Sequence, residues 1–224
     1  MTLLTLPDPS TEIGAAVEIA LAACDEADAI SLASFRRAIR IEAKPDASFV
    51  TEADTAVERA IRERITSRFP DHGLVGEEYG TAESASGRRW IIDPIDGTHN
   101  YMRGVPVYAT LLALEIEDRL AVGVVSAPAL HRRWFSWDGG GAWAVDTVPG
   151  GWDRDSAMRL SVSKVDRLDE PSLVNSSFPS IEKSGWAPSF GPLLGKGWRD
   201  RGLGDFYGNM LVAEGAAEVM VEAE

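Results

Sequence analysis

The sequence predicts a mixed α/β protein of the α+β kind, and three observations support this fold class. Apolar residues spaced three and four apart indicate two long helices early in the chain, the first at about 13–35. Strand-like runs separated by turn signals follow and predict an antiparallel meander at about 107–137. Beyond about residue 148, strand-like and helical segments alternate. We therefore expect an N-terminal α+β domain at 1–147 and a C-terminal α/β domain at 148–224.

The second helix is predicted at about 53–68, where apolar residues again share one face. Two pairs of residues before and within it have the spacing of a capping box, namely Thr51 with Asp54 and Thr55 with Glu58. The start of this helix is therefore well marked but ambiguous by one turn.

Shorter segments complete the predicted order of elements. The run "RRWII" indicates a strand that ends at Asp93-Pro94, Gly139–Gly141 indicates a hairpin turn, and "PGGWDRDSAM" indicates a connection between the domains. In the C-terminal domain we expect a strand at "SLVNSSF", a short or broken helix at "FGPLLG", a helix at "DFYGNMLVAEGAA" and a strand at "EVMVE".

The charge balance argues against several classes of partner. The chain has 35 acidic and 22 basic residues, a formal net charge of -13, so its field repels nucleic acid and anionic membrane surfaces. The densest basic cluster, His131-Arg132-Arg133, is short, and we interpret it as a solvated turn. A single cysteine, Cys24, excludes an internal disulfide and lies on an apolar helical stripe, which favours a buried structural thiol over a nucleophile.

The chain also lacks the sequence features of secreted and membrane proteins. No apolar run approaches the ~18 residues that a membrane-spanning helix needs. The N-terminal segment "MTLLTLPDPSTE" has no basic region ahead of its short apolar patch. We expect a cytoplasmic protein with no membrane contact.

The segment "DPIDGT", residues 93–98, concentrates polar chemistry after an apolar strand. Pro94 stiffens the backbone, so Asp93 and Asp96 can converge on one point. Converging carboxylates favour a hard divalent cation, and oxygen ligands suit Mg²⁺ or Mn²⁺ better than zinc. Gly97 allows close backbone approach, and Thr98 can begin a short helix whose free amides receive an anion. The alternative is an ordinary capped turn.

Further acidic residues occur in similar settings. Asp54 opens the second helix, and Glu77 with Glu78 follows the apolar run "GLVG". Taken singly, Asp54 fits a helix cap, and the two glutamates fit a solvated turn. Taken with residues 93–98, they favour a site for metal and phosphate.

The segments "VTEADTAVE", "GEEYG" and "WIIDPIDGTHNY" resemble, in order and spacing, three motifs of the inositol monophosphatase superfamily of Mg²⁺-dependent, lithium-sensitive phosphatases. Within it the chain most resembles the bacterial histidinol-phosphatase branch, through "GVPVYATLLALE", "GVVSAPALHRRWF", "LSVSKV" and "RGLGDFYGNMLVAEGAAEVMVE". The resemblance covers about residues 44 to 224. It implies the layered αβαβα sandwich of the inositol monophosphatase and sugar phosphatase type, and commonly a homodimer.

The resemblance also implies the metal ligands. One Mg²⁺ would be held by Glu77, Asp93 and the backbone carbonyl of Ile95. A second would be held by Asp93, Asp96 and an aspartate from a C-terminal Trp-Asp motif, and a third, looser ion would lie near Glu77. Mn²⁺ could replace Mg²⁺.

The remaining implied roles concern phosphate, water and substrate. Residues 97 and 98 would offer backbone amides to the phosphate beside Asp96. Asp54 would orient the hydroxyl of Thr98, which with Glu77 would position the attacking water. Glu222 matches a family position that contacts the substrate.

Asp205 is our own candidate for binding a substrate ammonium, because histidinol phosphate has a cationic head. The alternative for Asp205 is an N-cap of a helix that begins at Phe206.

The sequence departs from the family pattern in two places. The Trp-Asp motif is expected a few residues beyond Glu222, and the sequence ends at Glu224, so we expect a truncated chain with an incomplete C-terminal part. His99 stands where this branch usually has lysine, which makes the neighbourhood of the phosphate less positive, unless His99 is simply solvated.

The favoured function is hydrolysis of the phosphate monoester of L-histidinol, in histidine biosynthesis, by metal-activated water. One alternative is an inositol-1-phosphate or related sugar-phosphate monophosphatase. An alternative of another class is a truncated, catalytically inactive interaction protein.

Overall fold

A computed structural model describes residues 3–37, 40–43, 49–167 and 170–223. The chain folds into two compact units, one up to Arg159 and one from Leu160. No helix among the described residues is both long and apolar enough to cross a membrane.

The described residues of the first unit form three helices and ten strands. The helices are α1 (Glu12–Ser34), α2 (Glu52–Arg68) and α3 (Thr98–Met102), and Pro128–Leu130 forms a 3₁₀ turn. The strands are β1 (Ile41–Ala43), β2 (Phe49–Thr51), β3 (Gly73–Gly76), β4 (Gly80–Ala82), β5 (Arg88–Asp96), β6 (Ala109–Ile116), β7 (Arg119–Ala127), β8 (Arg132–Trp137), β9 (Gly141–Val148) and β10 (Gly151–Arg159).

Eight of these strands form one mixed sheet in the order β10-β9-β8-β7-β6-β5-β3-β4. Neighbours pair antiparallel except β3 and β5, which are parallel. The core joins α1 and α2 to this sheet, and its buried members include Ala20, Cys24, Ile61, Trp90, Leu114, Val124 and Phe135. The predicted meander is thus confirmed, and so is the mixed α/β fold class.

The starts of α1 and α2 follow the capping chemistry of the sequence. Thr11 caps α1 by accepting a hydrogen bond from the backbone amide of Gly14, 3.0 Å away. At α2 the capping box uses Thr51 and Asp54, which settles the one-turn ambiguity of the sequence.

Where it is described, the second unit has a small parallel sheet and three helices. Strand β11 (Ser172–Asn175) lies between β12 (Arg199–Gly202) and β13 (Val219–Val221). The helices are α4 (Phe178–Lys183), α5 (Ala187–Leu194, with Pro192 inside it) and α6 (Asp205–Ala213). Ile181 and Phe190 pack with Ala223 in a core of this unit.

The connection predicted at "PGGWDRDSAM" is wrong. This segment forms β10, which pairs antiparallel with β9 and extends the large sheet at its edge. Polar residues dominate β10 because an edge strand is only half covered, and this composition resembles that of a linker. The boundary between the two units therefore lies after Arg159 rather than after residue 147.

The solvated turn predicted at His131-Arg132-Arg133 is also wrong for Arg133. Its side chain in β8 is fully buried and forms ion pairs with Asp25 at 2.7 Å and Asp28 at 2.8 Å, both on α1. Compensation by two acids more than 100 residues earlier makes this burial possible, and no local pattern reveals it.

Candidate active site

The segment that carries Asp93 and Asp96 is a bulged part of β5 rather than a turn after it. Asp93 pairs with Leu111 and Asp96 with Ala109, so three steps along β5 match two steps along β6. This one-residue excess is a β-bulge, a feature that often lies beside active sites.

The bulge has a direct consequence for the two carboxylates. Side chains alternate along a regular strand, so residues three apart would point to opposite faces. One inserted residue reverses the parity and returns Asp96 to the side of Asp93. Pro94 is tolerated here because bulges leave backbone positions unpaired, and its carbonyl accepts a hydrogen bond from the buried hydroxyl of Thr110 at 2.8 Å.

Gly97 and Thr98 turn the chain from β5 into α3. Gly97 has φ 80°, in the left-handed region that favours glycine, and it occupies the N-cap position of α3. The Thr98 hydroxyl donates a hydrogen bond to the carbonyl of Ile95 at 2.9 Å. The predicted phosphate-binding residues and the predicted carbonyl ligand are therefore joined in one rigid turn.

Asp54 lies at the start of α2 and is fully buried. Its Oδ2 accepts hydrogen bonds from the backbone amide of Thr51, at 2.8 Å, and from the Thr51 hydroxyl. Its buried Oδ1 has no hydrogen-bond partner among the described residues. Since the Thr98 proton is donated to Ile95, the hydrogen bond between Asp54 and Thr98 that the resemblance implies is not formed here, and the orienting role of Asp54 remains a prediction.

Asp93 is the most strongly perturbed acid of this region. Burial, followed by the charges of Asp96, Glu77 and Asp54, raises its pKa to about 8, against a lowering effect from a backbone hydrogen bond of Ile95. Burial also raises the pKa of Asp54, which Glu77 raises further. The structure thus places the four predicted acids within electrostatic reach of one another.

The acidic cluster has donor groups that suit a cation. Oδ1 of Asp93 is buried without a hydrogen-bond partner among the described residues, like that of Asp54. A carboxylate cluster whose burial and mutual repulsion disfavour ionisation has the chemistry of a hard divalent cation site. In the described part of the chain, however, no group of three or more His, Cys, Asp or Glu side chains is arranged to hold a metal ion. The carboxylate oxygens of the cluster are chemically suited to a divalent cation, and the roles of these residues as metal ligands remain a proposal.

Glu77 lies in the exposed turn between β3 and β4. The buried carboxylate of Glu58 on α2 holds this turn by accepting hydrogen bonds from the backbone amides of Glu78, at 2.6 Å, and Tyr79, at 3.1 Å. Sequence reasoning assigned Glu58 only to a possible capping box. Its position one helical turn after Asp54, on the same face, was the available signal.

Two predicted substrate residues, Asp205 and Glu222, belong to the second unit. Asp205 begins α6 with φ 56°, and Glu222 directly follows β13. A Cβ placed on Gly204, next to Asp205, would lie 3.7 Å from Oε1 of Glu222. The alternative of Asp205 as an N-cap before Phe206 disagrees with the structure, since α6 starts at Asp205 and Gly204 holds the cap position.

The structure also shows the surroundings of His99 and Cys24, two other residues from the sequence analysis. His99 is exposed, and its ring meets Phe49 edge-on at 5.3 Å between centroids. Cys24 is fully buried, and burial raises the pKa of its thiol to about 12, so it is a structural thiol as predicted.

Comparison with known proteins shows the family of the chain. Residues 13–224 match the inositol monophosphatase family. The chain belongs to this family. The resemblance of its three acidic motifs is therefore confirmed, and the chain is a metal-dependent phosphoric monoester hydrolase with a phosphate-ester substrate.

Two histidinol-phosphatases are similar to this chain over most of its length. The histidinol-phosphatase of Mycobacterium tuberculosis is 44% identical over 207 residues, which are 92% of this chain and 77% of the relative. The histidinol-phosphatase of Streptomyces coelicolor is 43% identical over 205 residues, 89% of this chain and 74% of the relative.

Solved structures of this family share the fold. The IMPase of Thermotoga maritima superposes with a TM-score of 0.76 at 25% identity, covering 91% of this chain and 74% of that one. Mycobacterium tuberculosis SuhB superposes with a TM-score of 0.74 at 25% identity, covering 95% and 78%.

Proposed function

We propose that this inositol monophosphatase family member hydrolyses L-histidinol phosphate to L-histidinol and phosphate in the presence of Mg²⁺. The observation that carries the metal-dependent chemistry is the partly buried carboxylate of Asp93, on which the charges of Asp96, Glu77 and Asp54 act. The choice of substrate is supported by the histidinol-phosphatases that are 43% and 44% identical to most of this chain.

The acidic cluster would hold two or three Mg²⁺ ions, with Mn²⁺ as a possible substitute. Glu77, Asp93 and the Ile95 carbonyl would bind one ion, and Asp93 with Asp96 would contribute to a second. Bound there, Mg²⁺ would neutralise phosphate charge and lower the pKa of a water molecule.

The protein groups around the cluster would bind and orient the reactants. The backbone amides of Gly97 and Thr98 would bind phosphate oxygens, because the left-handed Gly97 turns the chain into the free N-terminal end of α3. The Thr98 hydroxyl and the Glu77 carboxylate would hold the attacking water, with the buried Asp54 as a positioning residue for Thr98. No covalent nucleophile is needed, in agreement with the inert Cys24.

Phosphate release tests this function directly. L-histidinol phosphate and inositol 1-phosphate are compared as substrates, with MgCl₂ and with EDTA. We expect hydrolysis that requires the metal and prefers L-histidinol phosphate. Preference for the inositol ester would support the sugar-phosphate alternative, and absence of hydrolysis with any phosphate ester would support the interaction-protein alternative.

Asp96→Asn tests the acidic cluster within the same assay. We expect this substitution to abolish hydrolysis without unfolding, because it removes a ligand charge and leaves the core intact. Asp118→Asn is the matched control, since Asp118 is exposed in the hairpin between β6 and β7. Retained activity of the Asp96 variant would refute the metal role.

Asp205 and Glu222 are proposed to recognise the cationic head of the substrate. Asp205→Asn keeps a residue that tolerates the left-handed φ at this position and removes the charge. We expect a larger KM for L-histidinol phosphate and little change for a phosphate ester without a cation. Equal effects on the two substrates would exclude this role.

We also propose that the protein forms a homodimer. Sedimentation equilibrium, which measures the mass of the species in solution, tests this proposal.

A further inference from the structure

Glu58 is a fully buried carboxylate on α2 that no part of the proposed chemistry uses. It is hydrogen-bonded on both oxygens, Oε2 to the amide of Glu78 and Oε1 to the amide of Tyr79. Arg62, one turn further along α2, compensates its charge, because the Arg62 Nε donates to Oε1 at 2.7 Å. A buried acid with this complete set of donors holds one definite position.

Two neighbours show that the chain is shaped around this carboxylate. A Cβ on Gly76, at the end of β3, would lie 2.0 Å from Oε1 of Glu58, so only glycine leaves room for it. On the other side of the turn, Arg62 also donates to the backbone carbonyl of Gly80, where β4 begins. Glu58 and Arg62 thereby hold the turn between β3 and β4 through hydrogen bonds to the backbone of residues 78–80.

This turn carries Glu77, the proposed metal ligand. The charge of Glu77 acts on Asp93 and Asp54, so the turn presents Glu77 to the acidic cluster. The same face of α2 supplies Asp54 and, four residues later, Glu58. One rigid helix therefore contributes a member of the cluster and also anchors the loop that contributes another.

We propose that Glu58 is a positioning residue that fixes the backbone of the Glu77 turn and so sets the affinity of the acidic cluster for Mg²⁺. This inference rests on the proposed function for its relevance to catalysis. Groups that orient metal ligands typically contribute ~10- to 100-fold to metal affinity. Glu58 acts through backbone amides rather than through the Glu77 side chain.

Glu58→Gln tests the inference with little change of shape. Its amide group replaces one acceptor oxygen by a donor that faces N–H groups, so one hydrogen bond to the turn is lost. We expect the dissociation constant for Mg²⁺, measured by calorimetry, and the Mg²⁺ concentration for half-maximal activity to rise about 10-fold or more. The kcat at saturating Mg²⁺ should change by less than about 3-fold, since no reacting group is removed.

Glu63→Gln is the matched control, because Glu63 is exposed on the same helix and the charge change is identical. Gly76→Ala reaches the same network from β3 by displacing the Glu58 carboxylate, and it should weaken Mg²⁺ binding in the same way. Circular dichroism and the melting temperature establish that each variant folds. If Glu58→Gln does not fold, Arg62→Lys takes its place as the test variant. We expect this variant to bind Mg²⁺ several-fold more weakly than the wild type.

The outcomes separate the two proposals. A wild-type chain that binds Mg²⁺ but hydrolyses no phosphate ester contradicts the proposed function, and calorimetry still tests Glu58. An active wild type whose Glu58→Gln variant binds Mg²⁺ as tightly as Glu63→Gln overturns the positioning role. A lower melting temperature with unchanged Mg²⁺ affinity also overturns it, because it would show a purely structural residue.

Discussion

His72 accepts a hydrogen bond from the buried indole of Trp90, with 3.1 Å between Nε1 of Trp90 and Nδ1 of His72. This contact requires an unprotonated Nδ1. Burial, followed by the charge of Arg88, lowers the pKa of His72, while Glu12 and Asp71 act in the opposite direction. Because Trp90 lies in β5 three residues before Asp93, this histidine supports the strand that carries Asp93.

The lowered pKa of His72 predicts a dependence of stability on pH. The folded chain binds this proton less readily than the unfolded chain, so the contribution of His72 is complete above the unfolded pKa of about 6.5 and declines as the pH falls below it. We expect His72→Gln to reduce the loss of melting temperature between pH 7.5 and pH 5.5. Identical pH profiles for the two proteins would contradict this assignment.

Thr110 supports the bulge from the neighbouring strand, where its hydroxyl bonds the Pro94 carbonyl. Thr110→Val keeps the shape and leaves this carbonyl without its donor, so we expect a loss of ~1 to 3 kcal/mol in the free energy of unfolding. Urea denaturation measures it. Thr110→Ser is the control that keeps the hydroxyl, and it should retain more stability than the valine variant.

At the scale of elements, a buried ion network attaches α1 to the large sheet. Arg133 of β8 pairs with Asp25 and Asp28 of α1, and Ser126 of β7 contacts both Arg133 and Asp28 at 2.9 Å. Burial raises the pKa of Asp28, against the lowering effect of Arg133. The positive charge of Arg133 therefore offsets the energetic cost of burying an ionised Asp28 between the helix and the sheet.

Removing Arg133 should destabilise the fold strongly. Arg133→Met leaves a buried carboxylate unpaired, so we expect a loss of ~3 to 5 kcal/mol in the free energy of unfolding. The neighbouring pair of Arg132 with Asp146 is more exposed, and Arg132→Met should cost less than about 1 kcal/mol. Chemical denaturation of both variants checks the contrast, and equal losses would contradict it.

At the scale of the whole molecule, the net charge of -13 opposes folding through self-repulsion. At 0.1 M ionic strength, salt largely screens the repulsion between exposed charges that lie more than ~10 Å apart. We expect the melting temperature to rise between 10 mM and 150 mM NaCl. A falling melting temperature would show that surface ion pairs outweigh the net charge.

Mg²⁺ should stabilise the molecule beyond this general effect of salt. A ligand that binds only the folded chain raises its stability by mass action. At equal ionic strength, MgCl₂ should therefore raise the melting temperature of the wild type more than NaCl does. Asp96→Asn should remove most of this difference, which distinguishes binding at the cluster from general screening.

The sequence by itself determined both long helices, the strands of the central meander and the position of the acidic motifs. Both long helices, with Thr11 and Thr51 as caps, follow from local periodicity and hydrogen-bonding chemistry, which act over a few residues. The resemblance of three short motifs was enough to identify the family, because their order and spacing are properties of the chain alone.

Only the tertiary structure decided which groups act on one another. The bulge that returns Asp96 to the side of Asp93 depends on register with β6, and the burial of Arg133 depends on acids of α1. The hydrogen bonds that Glu58 accepts from the turn carrying Glu77 join a helix to a loop about 20 residues later. These contacts arise from packing between elements distant in sequence, so no local pattern could predict them.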